Sequence, residues 1–150
     1  RWGTETAAAA AGSAAALKAA IAWGKAASRT TRELRDTLEA GLRAIRADTV
    51  IFGADAPRLP NTTCFATPGV AAETALVALD LAGVAVSSGS ACSSGKVAAS
   101  HVLAAMGQPA SLARGALRVS TGPTTTARDV ETFLGAWRTF LDRRAERAVA

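Results

Sequence analysis

The feature that most constrains this chain is its opening: residues 6–27 are dominated by alanine and contain no proline. Alanine is the strongest helix former, so this stretch reads as a helix. Leu17, Ile21 and Trp23 are larger apolar anchors, which favours a packed helix over a low-complexity linker. A second helix is expected over residues 30–46, where Leu34, Leu38, Leu42 and Ile45 line up one apolar stripe between charged neighbours.

Past these helices the patterning changes. Residues 49–52 are short, β-branched and apolar and end at Gly53; residues 62–67 follow a loop punctuated by Pro57 and Pro60. Both read as strands. Residues 71–82 have helical spacing and stop at Gly83, well placed for a left-handed cap. Residues 84–87 read as a strand feeding a serine- and glycine-rich loop, and residues 97–106 as a short helix ended by Gly107 and Pro109. A strand over 116–120 and a long helix over 127–147 complete the pattern. Helices and short strands do not alternate steadily, and the neighbouring strands suggest antiparallel pairing, so the expected fold is α+β. No internal repeat is evident.

With 150 residues and 49% hydrophobic content, a single domain with its own core is expected. Its most hydrophobic stretches, such as residues 74–86, are interrupted by Asp80 and Gly83, and no membrane span is expected. The net charge of +5 comes from arginines interleaved with acids and without an aromatic ladder. That pattern reads as solvated helix faces rather than a nucleic-acid surface. The chain starts at Arg1 without a signal-peptide pattern, and the start reads as a cut through a longer chain. Two cysteines without a secretory signal point to a reducing cytoplasm rather than a disulfide framework.

The loop Ser87-Ser88-Gly89-Ser90-Ala91-Cys92-Ser93-Ser94-Gly95 carries the candidate chemistry. Small side chains and glycines would let Cys92 swing without dragging bulk. The start of the helix expected near Val97, together with Lys96, would favour its thiolate. Loop chemistry alone leaves two readings open: a reactive thiol, or a small residue at a tight turn. Cys64 sits beside Phe65 in an expected strand and reads as a buried, inert thiol. His101 reads as structural rather than as a general base. One histidine and two distant cysteines do not make an autonomous zinc site, and no metal is assigned.

The segment from Val84 to Gly95, followed by Ser100-His101-Val102-Leu103 and Ala105-Met106-Gly107, closely resembles the active-site cysteine segment of NifS/IscS-like cysteine desulfurases. The resemblance extends through Leu59-Pro60-Asn61-Thr62, Pro68-Gly69-Val70, residues 78–83, Leu117-Arg118-Val119-Ser120 and Gly122, and Arg1-Trp2-Gly3-Thr4 is similar to an Arg-x-Gly-Thr element of that family. These are class-V aminotransferase relatives with the fold of type I pyridoxal enzymes. The resemblance implies that the chain is the small C-terminal domain of such an enzyme, a short antiparallel sheet packed by helices and preceded by long linking helices.

It also implies an activity. Cys92 would take the sulfur of L-cysteine as a persulfide, leaving L-alanine, and pass it to an acceptor protein such as a scaffold, for example in iron–sulfur cluster assembly. By the same likeness Arg118 would hold the substrate carboxylate, a task suited to its planar, permanently charged fork. Thr4 would donate its hydroxyl to the phosphate of pyridoxal 5'-phosphate, within a homodimer. A Cys92 persulfide could also serve as a transient cluster ligand. The family's cofactor lysine, with its neighbouring histidine, has no counterpart here, since Lys18, Lys25 and Lys96 all stand in other contexts. The expectation is therefore a fragment that does not bind the cofactor covalently by itself, its upstream domain being absent from this chain. Two alternatives remain beside the desulfurase: a selenocysteine lyase or other class-V relative, and a non-enzymatic sulfur-carrier module.

Overall fold

The structure is a computed structural model and describes residues 6–88 and 100–149. Its elements run α1 (Ala7–Ile45), β1 (Val50–Ile51), β2 (Thr62–Ala66), α2 (Ala72–Leu81), β3 (Ser87–Ser88), α3 (His101–Ala105), α4 (Ala110–Arg114), β4 (Leu117–Ser120) and α5 (Ala127–Val149). The α+β expectation holds. The strands form one sheet in the order β1-β2-β4-β3, antiparallel at every pairing.

The two expected opening helices are one. α1 is continuous for 39 residues, roughly 58 Å. Ser28 and Arg29 at the expected joint include no proline or glycine, and the Arg29–Glu33 pair bridges the following turn at 3.0 Å. The C-terminal half of α1 packs as its stripe implies, with Leu38 and Leu42 buried and Leu34 and Ile45 against them. The N-terminal half does not: Leu17 and Ile21 are 61% and 53% exposed, so these anchors meet no described core. The 18 residues Ala7–Gly24 also reach a mean hydropathy of 1.2, enough by length and composition alone for a bilayer span, contrary to the expectation from sequence. That value rests mainly on alanine, and the window contains Lys18.

One face of the sheet carries Ile51, Phe65 and Leu117, which pack with α1, α2 and α5 into the main core. Phe65 meets Trp137 of α5 edge-to-face, with ring centroids 5.3 Å apart, a geometry that adds about 0.5–1.5 kcal/mol beyond area burial. Gly41 lets α5 approach α1, since a Cβ there would overlap the Leu134 side chain. The opposite face carries Val50, Cys64 and Ala66. Beside them Phe52, Leu103 of α3 and Ala113 of α4 form a smaller cluster.

Helix ends explain most boundary differences. Gly83 has φ +77°, and the amides of Gly83 and Val84 bond the carbonyls of Asp80 and Leu79, a Schellman ending to α2. With the Val84 amide already bonded there, the expected strand over 84–87 pairs only at Ser87–Ser88. Val84 and Val86 still pack on the core. Gly107 ends α3 in the same way, its amide bonding Ala104 and that of Gln108 bonding Leu103. α4 was not anticipated. Pro109, read as a stop, is instead its N-cap, a position next to the helix start where the ring suits the backbone. α5 begins with a capping box: the Thr126 amide and hydroxyl donate to Asp129 at 2.8 Å each.

Candidate active site

Directly opposed residues in an antiparallel ladder point to the same face. Arg118 is paired with Cys64 on one side and with Ser87 on the other, so Ser87, Arg118 and Cys64 form a row across three strands. Thr62 and Ser120 form the neighbouring row on that face. The α3–α4 cluster covers the end of the face near Ala66, whereas Ser87, Arg118 and Ser120 are exposed. Arg118 thus stands on the open part of a half-covered sheet face. Among the described residues none hydrogen-bonds or ion-pairs with its guanidinium, which leaves the planar fork free for an anion.

Local contacts hold β4 in place. The Thr121 amide donates to the Asn61 carbonyl at 2.9 Å, closing the β2–β4 ladder beyond Ser120. The Asn61 side-chain amide reaches back to the Thr121 carbonyl at 3.5 Å. At the other end Gly115 lies under the Val70 carbonyl so closely that a Cβ would overlap it. Only glycine lets α4 turn into β4 there.

Cys64 is half-buried and free, as a strand thiol beside the core implies. Burial pushes its thiol up, and the positive charge of Arg118 only partly offsets this. It is therefore a protonated, weakly nucleophilic neighbour of Arg118. His101 is the first residue of α3, after the capping Ser100 whose hydroxyl accepts from the Leu103 amide. Cys92 and Thr4 lie outside the described residues. Ser88, four positions before Cys92 in the sequence, pairs with Leu117, so the last described residue before the cysteine lies on the strand beside Arg118.

Sequence reasoning missed the polar hub behind the sheet. Glu39 of α1 accepts both Arg58 guanidinium nitrogens, at 2.7 and 3.1 Å, and the Thr63 hydroxyl at 2.8 Å. Arg35 donates to the Leu59 carbonyl at 3.2 Å and to Asp36. Burial pushes the Glu39 carboxyl up, but the hydrogen bonds from Arg58 and Thr63 and the charges of Arg58 and Arg35 together hold it below the usual range. The hub ties α1, the loop 53–61 and β2 together. In the sequence only a glutamate on the edge of the α1 stripe hinted at it.

A pyridoxal cofactor needs a lysine and a phosphate cradle. Among the described side chains Lys18 is the only lysine, and it is exposed on the N-terminal half of α1. The described residues therefore do not by themselves fit a covalently held cofactor.

Residues 1–133 match the Aminotransferase class-V family. The chain is 41% identical over 102 residues to the cysteine desulfurase of Enterobacter agglomerans, covering 68% of this chain and 25% of that protein. It is 41% identical over 135 residues to the IscS-like cysteine desulfurase of Mycobacterium tuberculosis, covering 89% and 34%. Among solved structures, a NifS-like protein matches with a TM-score of 0.75 at 28% identity, over 87% of this chain and 32% of that one. The NifS-like protein of Rickettsia africae matches at 0.67 and 32% identity, over 77% and 29%. The chain thus spans about a quarter to a third of the length of these relatives. By sequence and by fold alike, it belongs to the class-V aminotransferase family.

Proposed function

We propose that this chain is the C-terminal part of a pyridoxal-phosphate-dependent cysteine desulfurase, comprising linking helices and the small domain. The observation that carries the reading is the exposed Arg118, without a hydrogen-bond or ion-pair partner among the described residues, beside the strand that leads to Cys92. A guanidinium on an open sheet face binds a carboxylate with two parallel hydrogen bonds. Cys92 follows Ser88 by four positions, at most about 14 Å of fully extended chain, so its thiol can serve a substrate anchored at Arg118.

In the overall reaction L-cysteine and the Cys92 thiol become L-alanine and a Cys92 persulfide. The substrate C–S bond breaks and an S–S bond forms; the sulfur is oxidised and the carbon reduced, with no external oxidant. The cofactor supplies the carbon chemistry, held by parts of the protein beyond the described residues, with Thr4 contributing to its phosphate site. This chain's own residues hold the substrate carboxylate and present the nucleophile. The persulfide then passes to a sulfur-acceptor protein, with iron–sulfur cluster assembly as the setting. We further assign a cytoplasmic homodimer, in which the exposed half of α1 has a surface to cover.

The test is turnover of the complete polypeptide with pyridoxal phosphate and L-cysteine, measuring alanine and sulfide. Cys92→Ala should abolish sulfide formation. Arg118→Ala should raise KM for L-cysteine about 10- to 100-fold, the range for losing charged hydrogen bonds of about 1.5–3 kcal/mol. If Cys92→Ala forms sulfide as fast as the parent, the nucleophile is elsewhere. Running L-selenocysteine in parallel separates a desulfurase from a selenocysteine lyase. A sulfur carrier would instead accept persulfide while producing no alanine.

A further inference from the structure

We propose that the groove between α2 and α5 receives an amphipathic helix of a partner protein, apolar along one face and acidic at its margins. The groove has a volume of about 1060 Å³. Its floor is apolar where a helix surface should be polar. Val77 and Leu81, one turn apart on α2, are 62% and 83% exposed, and Phe140 of α5 is only half-buried. The other side of α2 is already committed to the core through Ala72, Ala75 and Leu79. Val77 and Leu81 therefore take no part in the core formed by the described residues.

One wall of the groove is cationic. Arg143, Arg144 and Arg147 stand within two turns at the end of α5, against the single acidic lining residue Glu73. Arg144 donates to the Gly69 carbonyl, which fixes one guanidinium at the rim. Among the described residues none of the three has a carboxylate partner. Arginine forks flanking an apolar floor complement carboxylates flanking an apolar stripe.

The shape selects a helix. The lining runs along α5 from Ala136 to Arg147, about 16 Å or three turns, as long as a helix laid between two others and longer than a small molecule. A nucleic acid would use the arginines but gain nothing from exposed Val77 and Leu81, and no exposed aromatic side chain lines the groove for base stacking. The proposal goes beyond the sulfur chemistry and stands without it.

The experiment uses the complete polypeptide and a fluorescein-labelled synthetic helix of about 18 residues. Its leucines follow i, i+3, i+4, i+7 spacing, flanked by glutamates; a twin carries lysines instead. Fluorescence anisotropy should show the glutamate peptide binding at least about tenfold more tightly than its twin, and weakening with added salt. The double variant Arg143→Glu, Arg147→Glu should reverse that preference. Leu81→Asp, at an already exposed position, should weaken both peptides with the melting temperature unchanged. The proposal is overturned if the two peptides bind equally, if neither binds saturably, or if the arginine variants leave the preference intact. It is equally overturned if duplex DNA displaces the peptide, or if Leu81→Asp abolishes self-association of the protein, since the occupant would then be a nucleic acid or a second copy.

Discussion

Removing the Glu39 carboxylate should cost this chain more stability than any surface substitution. Glu39 is buried, and its two oxygens take two bonds from Arg58 and one from the Thr63 hydroxyl. Breaking a buried ion pair by deleting one partner costs about 3–5 kcal/mol, because the remaining charge stays in a poor dielectric. Arg58 retains 17% side-chain exposure and can partly resolvate, which trims this to about 2–4 kcal/mol for Glu39→Ala. The Thr63 hydroxyl, in a residue only 1% exposed, loses its acceptor, so the upper half of that range applies. Glu39→Gln keeps an acceptor for Thr63 and should cost about half as much. With a urea m-value of about 2 kcal/mol/M, the midpoint should fall by about 1.5 M for Glu39→Ala. The carboxyl is held below its unfolded value, so its contribution is complete above the unfolded pKa and is lost as pH falls through the folded one. The parent should therefore lose its advantage over Glu39→Gln between about pH 5 and 3. A Glu39→Ala midpoint within about 0.3 M of the parent, or an advantage over Glu39→Gln that grows with acid, would refute the hub as a stabilising unit.

Gly115→Ala should destabilise by about 1–3 kcal/mol because the new methyl overlaps the Val70 carbonyl, a backbone atom that cannot rotate away; thermal unfolding followed by circular dichroism measures it, and an unchanged melting temperature contradicts the packing. Thr126→Ala removes the hydroxyl that caps α5 and should cost about 0.5–2 kcal/mol by the same measurement. Cys64, its thiol pushed up by burial, should react with maleimide at neutral pH more slowly than the same thiol in the urea-unfolded chain, read by mass of the Cys92→Ala variant; equal rates would mean the thiol is open to solvent.

The elements that frame the candidate site were legible because their signals are local. A strand holding one arginine between leucine and valine, and glycines at 83 and 107 that stop helices, all lie within a few residues of the feature they specify, whereas Cys92 lies outside the described residues. The stripe Leu34, Leu38, Leu42 and Ile45 likewise named the buried face of α1 before any packing was known. Alanine content and the absence of proline determined that the opening would be helical, since backbone entropy and helix propensity act residue by residue.

What the sequence could not determine was anything set by distance in space. Whether α1 breaks near Ser28 depends on a weak local preference, and the continuous helix is what the intact hydrogen-bond ladder favours once its C-terminal half is anchored on α5. The register that sets Ser87, Arg118 and Cys64 in one row comes from pairing β4 between strands more than 25 residues away in either direction of the sheet order. A shift of one residue would have turned Arg118 into the core and Leu117 out, so burial of Phe65 and Leu117 on the opposite face is what decided where the guanidinium points. Glu39 and Arg58 are separated by 19 residues, and only the folded loop brings them to 2.7 Å. Local chemistry wrote the elements of this chain; the burial of one sheet face decided which of its side chains meet solvent.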